Sequence, residues 1–395
     1  MKSKYILAGC LLMTFILSAC GKDEAIMSKN EEQMGAVSTE GEASVIGNGK
    51  EENGLDRTAS EDGRTDADAS REGTLEMATP EEKDTEAVVE GEHYIDEIFT
   101  SAALASAKDG SSPTKRLKVY LPPNYYTSGK RYPVVYFFHG FGDGMSFIAG
   151  RKHHFNQLMI REGFQEFIVV EVDGSRANSS QGSFWMNSPV TGMWEDYVID
   201  EIVPYIDQTY HTIPRAESRG IAGYSMGGYA SLNLAMRHPH VFSSVLSLCP
   251  GVLKKGSLQL AMDSWRGDKT FLTCYGQTFA PNEAKENMCD IPAMDGTPED
   301  MEIAAKWEDG FGNWEEKLDA YLTKDKPLKA IHVIKGTLDY YKWIPEGCDD
   351  LSRLMAEKGI DYYTMTELAI GHTFPTGYEK DYFIPFFSEH LVFEE

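Results

Sequence analysis

Nearly uninterrupted apolar runs punctuate the chain beyond its first third. Tyr132-Pro-Val-Val-Tyr-Phe-Phe138 ends at His139-Gly140, and Phe167-Ile-Val-Val-Glu-Val172 ends at Asp173-Gly174. Val241 to Leu248 and Ala330 to Ile334 follow the same pattern. Runs without polar alternation predict strands covered on both faces, as in a parallel sheet. Gly220-Ile-Ala222 and Tyr362 to Leu368 are further strand-like segments. Between the strands the spacing turns helical. Trp194, Val198, Ile202 and Ile206 recur every four positions, with Pro204 expected to kink or shorten that helix. Tyr229 to Met236, Ser231 to Arg237 and Leu351 to Lys358 also read as helix. Strand alternating with helix predicts an α/β fold, a mostly parallel, doubly wound sheet with helices on both faces.

The first 92 residues follow a different rule. Lys2 and Lys4 precede an apolar stretch, Tyr5 to Leu17, which has the layout of an export signal and is too short for a full span. It ends Leu17-Ser-Ala-Cys-Gly21, which resembles a bacterial lipobox. The resemblance implies a signal peptide over 1–19 and lipidation of Cys20, hence export and anchoring to the cell membrane with the remaining chain outside. Residues 21–92 contain 21 acidic and 7 basic side chains and no Trp, Tyr or Phe. Such a segment buries too little apolar surface to offset its ordering entropy, so 20–92 is expected to be a disordered tether. A globular domain is expected over 93–395, where the hydrophobic content is concentrated. The net charge of −25 argues against nucleic-acid partners.

Chemistry concentrates at predicted strand ends, where open α/β sheets place their sites. Gly223-Tyr-Ser-Met-Gly227 joins the strand-like Gly220-Ile-Ala222 to a helix. A serine on so sharp a turn exposes its hydroxyl, and the glycines let the backbones crowd together. Ser225 is therefore a candidate nucleophile. A base must follow it in chain order. His372 lies in a loop just after a predicted strand, whereas His390 falls in a terminal helix. For the acid, Asp339 follows the strand Ile331–Gly336, with Asp349 and Asp350 as rivals where a helix begins. The oxyanion donors are expected to be the amide of Met226 and one from the loop His139-Gly-Phe-Gly-Asp-Gly144.

Together, Leu121-Pro-Pro-Asn-Tyr125, Tyr132–Gly140, Gly223-Tyr-Ser-Met-Gly-Gly228, Gly336–Asp339 and Gly371-His-Thr-Phe374 resemble the esterase D-like branch of the α/β-hydrolases. Gly182-Ser-Phe-Trp-Met-Asn-Ser-Pro189 and Trp194-Glu-Asp-Tyr-Val198 are most similar to its feruloyl-esterase-like members. The resemblance implies Ser225 as nucleophile, Asp339 as acid and His372 as base, with oxyanion amides on Met226 and Phe141. It implies an ester substrate, feruloyl or acetyl groups on plant polysaccharide or oligosaccharide, and no cofactor. A siderophore esterase, an acyltransferase and a non-catalytic glycan-binding module are the competing readings.

Other features are more open. Residues 251–327 are expected either to cap the site or to form a satellite core through Trp265, Phe271, Tyr275, Phe279, Trp307, Phe311 and Trp314. Trp185 and Asn187 are candidate substrate contacts. Cys249, Cys274, Cys289 and Cys348 allow several disulfide pairings, Cys274–Cys289 among them. No spacing typical of a metal site appears, so no metal is expected.

Overall fold

The computed structural model describes residues 92–394. The signal-peptide, Cys20 and tether assignments lie outside these residues. A sheet of eight strands runs through the described part: β1 (Tyr94–Thr100), β2 (Thr114–Tyr120), β3 (Val134–Phe138), β4 (Ile168–Val172), β5 (Arg219–Tyr224), β6 (Ser244–Leu248), β7 (Ala330–Gly336) and β8 (Tyr363–Leu368). Their spatial order is β1-β2-β4-β3-β5-β6-β7-β8. β2 pairs antiparallel with β1 and with β4, and every other neighbour is parallel.

The continuous apolar runs became the central strands for the expected reason. Every residue of β3, β4, β5 and β6 is buried. Successive residues serve opposite faces: Val134, Tyr136 and Phe138 join the core on one side, Val135 and Phe137 the core on the other. Helices cover both faces. In chain order they are α1 (Phe147–Arg161), α2 (Val203–Thr209), α3 (Met226–Arg237), α4 (Leu258–Trp265), α5 (Lys269–Phe279), α6 (Pro298–Phe311), α7 (Trp314–Leu322), α8 (Trp343–Glu357) and α9 (Ile384–His390).

The helix expected around Trp194 to Ile206 is one continuous helical run that changes its winding. Its middle, Tyr197–Ile202, is wound as a wide π turn, and Pro204 follows directly after it near the start of α2. The four apolar side chains that defined the pattern are all fully buried.

The segment 251–327 supplies α4 to α7, and its large side chains do not form a separate cluster. Trp265, Tyr275, Trp307, Phe311 and Trp314 are buried and belong to the same core as one face of the sheet. The four cysteines are buried and free, so no disulfide staples this region. Parallel register aligns the strand ends that matter: Phe138 faces Gly223, Tyr224 faces Leu248, Leu248 faces Ile334, and Gly336 faces Leu368. The loops that follow these residues therefore emerge along one edge.

Candidate active site

Ser225 sits between β5 and α3 with φ 55° and ψ −114°, a region that residues with a β-carbon avoid. Its surroundings enforce the bend. A β-carbon on Gly223 would lie 2.1 Å from the carbonyl oxygen of Gly227, and one on Gly227 would lie 2.1 Å from that of Phe138. Glycine is the one residue that fits at either place. The turn is tied to β6 by the Ser225 amide, which donates to Leu248 O at 2.9 Å, and by the Gly251 amide, which donates to Ser225 O at 3.2 Å.

The downstream loops converge on this hydroxyl. His372 Nε2 is 2.8 Å from Ser225 Oγ, and its Nδ1 is 2.7 Å from Asp339 Oδ2. An ionised carboxylate only accepts, so Nδ1 carries the proton and Nε2 is free to accept from the serine. Asp339 is fully buried, and its other oxygen accepts the Tyr341 amide at 2.9 Å. Tyr224 donates its hydroxyl to the carbonyl of His372 at 2.7 Å, and the Leu338 amide donates to Ile370 O at 3.0 Å. The strand end that carries Ser225 thus also holds the histidine loop, and the acid loop is sewn to it. The rival acids stand elsewhere. Asp349 is exposed on α8 and pairs with Lys335, and Asp350 pairs with Arg353. His390 is the last residue of α9.

Cys249 lies beneath this chain, with Cys249, Asp339 and His372 offering atoms within 4.8 Å of one another. Burial pushes the Cys249 thiol up to about 12, which keeps it protonated. Both ring nitrogens of His372 are already committed to Asp339 and Ser225.

Phe141 and Met226 line the same cavity as Ser225 and His372. Among the described residues, neither amide has a protein acceptor. Met226 opens α3, so its N–H belongs to the unpaired set at a helix start. The Phe141 loop is fixed by His139: the Gly174 amide donates to His139 Nε2 at 3.0 Å, and Nδ1 then donates to Gly140 O at 2.8 Å. Gly182 lets a third loop press on both candidate donors, since a β-carbon there would meet Met226 Sδ at 2.3 Å and the Phe141 ring at 2.7 Å. The pinning role of His139 was missed in the sequence, although a histidine directly after a buried strand was its signal.

The cavity above Ser225 measures about 360 Å³ and is walled by Phe141, Trp265, Phe271, Phe311, Tyr340, Tyr341 and Trp343. Several of these come from the 251–327 segment, which therefore walls the site as well as extending the core. Trp185 and Asn187 do not line it. Trp185 is fully buried, stacks on Phe138 with ring centroids 4.7 Å apart, and packs against Gly174. Asn187 accepts the Glu195 amide at 2.8 Å and donates to Asp196 at 2.7 Å, so it caps the helical run that follows. In this structure both make structural contacts away from the cavity lining. From residue type alone, a buried aromatic and a pocket aromatic look the same.

A sheet in this order, with a serine on a strained strand-to-helix turn and a histidine and aspartate on the loops behind later strands, defines an α/β-hydrolase. Residues 113–344, more than half of the chain, match the family described as "Putative esterase", and the chain belongs to that family. An esterase of Mycobacterium tuberculosis is 33% identical over 138 residues, which are 33% of this chain and 28% of that protein. An endo-1,4-beta-xylanase/feruloyl esterase of Xylanibacter ruminicola is 33% identical over 131 residues, 31% of this chain and 18% of its own. The chain thus spans less than a third of the length of these curated relatives. A solved ferulic acid esterase shares the fold with a TM-score of 0.50 at 18% identity, covering 75% of this chain and 98% of that one.

Proposed function

We propose that the protein is a serine esterase that cleaves carboxylic esters through Ser225, His372 and Asp339. The observation that carries this reading is the unbroken hydrogen-bond chain from the Ser225 hydroxyl through both nitrogens of His372 to the buried Asp339 carboxylate. In the first step Ser225 Oγ attacks the ester carbonyl while His372 Nε2 takes its proton. Asp339 holds the ring in the productive tautomer and stabilises the imidazolium that forms. The amides of Met226 and Phe141 receive the developing oxyanion, each worth roughly 3 kcal/mol in the transition state. His372 then gives its proton to the departing alcohol. Water, activated by the same nitrogen, releases the acid from Ser225.

The substrate class proposed is the ester of an aromatic or acetyl group on plant polysaccharide. The aromatic walls of the cavity and the xylanase/feruloyl esterase relative support it. A siderophore esterase or acyltransferase would use the same triad, and no feature of the site favours either. Replacing Ser225 by Ala should cut kcat on p-nitrophenyl acetate by at least about 10⁴-fold with the thermal transition retained. A variant that turns over at the wild-type rate would remove Ser225 from the mechanism.

We further propose that Cys20 carries a lipid that anchors the enzyme outside the cell, on the strength of the lipobox-like sequence that ends at it. Cells fed radiolabelled palmitate should label the wild-type protein and leave Cys20→Ser unlabelled. Equal labelling of the two would refute the anchor.

A further inference from the structure

The cavity above Ser225 is lined by charge of one sign. Asp143, on the loop after β3, and Asp268, just before α5, both face it, and among the described residues no lysine or arginine lines it. Of the basic groups nearby, Arg151, in the adjoining cavity, pairs with Glu379, and Lys342 donates to the carbonyl of Asp339 at 2.6 Å without lining the cavity.

Both carboxylates are fixed in place. Asp143 lies where the two cavities meet and packs on Gly140 so closely that a β-carbon there would meet its Oδ2 at 2.3 Å. Partial burial raises its pKa on balance, against the smaller opposing pull of the His139 ring, the Gly140 amide and the His372 ring. Asp268 accepts the Phe271 amide at 2.9 Å as the N-cap of α5.

An ester is uncharged at its reacting end, and its product is not. Hydrolysis adds water across the acyl C–O bond: the hydroxyl goes to the carbonyl carbon and the proton to the departing alkoxide. The new acid then loses its own proton to solvent at neutral pH, because a carboxylic acid titrates near pH 4. The one new charge of the reaction therefore appears beside two like charges, and no lysine or arginine among the described residues lining the cavity offsets them.

We propose that Asp143 and Asp268 make this cavity selective for uncharged acyl groups and expel the carboxylate product, an inference that rests on the esterase reading. Esters whose acyl part already bears a carboxylate are poor substrates for the same reason. Repulsion across several ångströms in a half-solvated site amounts to a several-fold change in binding per carboxylate.

The test is competitive inhibition of p-nitrophenyl acetate hydrolysis by cinnamate and by cinnamamide, which share a shape and differ in charge. Wild-type enzyme should bind cinnamate at least about ten-fold more weakly than cinnamamide, with the gap narrowing in 0.5 M NaCl. Asp143→Asn should shrink that ratio about three- to ten-fold. Asp268→Asn, which keeps the cap, should shrink it too. A wild-type ratio near one, or a ratio unmoved in both variants of an active enzyme, would overturn the proposal and leave the esterase reading standing. Failure to turn over any ester would overturn both.

Discussion

At φ 55° and ψ −114°, Ser225 occupies backbone space that costs a side chain on the order of 1–3 kcal/mol. The glycines on either side do not relieve that cost; they permit the crowding that imposes it. Glycine at 225 itself would relieve it, less the greater chain entropy that glycine loses on folding. Ser225→Gly should therefore be about 1 kcal/mol more stable than Ser225→Ala in urea unfolding, although both are inactive. A bend without strain would instead leave Ser225→Gly roughly 0.5–1 kcal/mol less stable than Ser225→Ala, by the chain entropy that glycine loses. At this scale the sequence was most informative where geometry admits one residue type, as at Gly223 and Gly227. It was least informative at Trp185 and Asn187, whose roles depend on which neighbours fold onto them.

Among the elements, those written as continuous apolar runs were legible and the short alternating ones were not. The central strands β3 to β6 announced themselves because burial on both faces leaves no polar positions. The antiparallel strands β1 and β2 alternate between sheltered and exposed side chains, and in the sequence they pass for connecting segment. The proposed acid shows what element context adds. Asp339 closes the loop after β7, while Asp349 lies a few turns away on the exposed face of α8, paired with the buried Lys335. Chain order alone admitted both. Asp339→Asn should lower kcat about 10⁴-fold through the wrong histidine tautomer, whereas Asp349→Asn should stay within about two-fold of wild type. If instead the Asp349 variant lost activity and the Asp339 variant kept it, the acid would have been misassigned.

For the molecule as a whole, the loops after β3, β5, β7 and β8 come from positions spread over more than 230 residues and meet because parallel strands share one edge. Topology thus converts sequence order into proximity, which is why the proposed nucleophile, acid and base are legible in the sequence. What topology did not foretell is the sign of charge in the cavity or the use of 251–327 as wall and core together. Both depend on how α4 to α6 lie over the sheet. The central claim is that Ser225 is made reactive by His372. A fluorophosphonate should therefore leave its adduct on a peptide containing Ser225, mapped by mass spectrometry, and His372→Ala should slow that labelling by orders of magnitude. An adduct on another serine, or labelling at an unchanged rate without the imidazole, would contradict it.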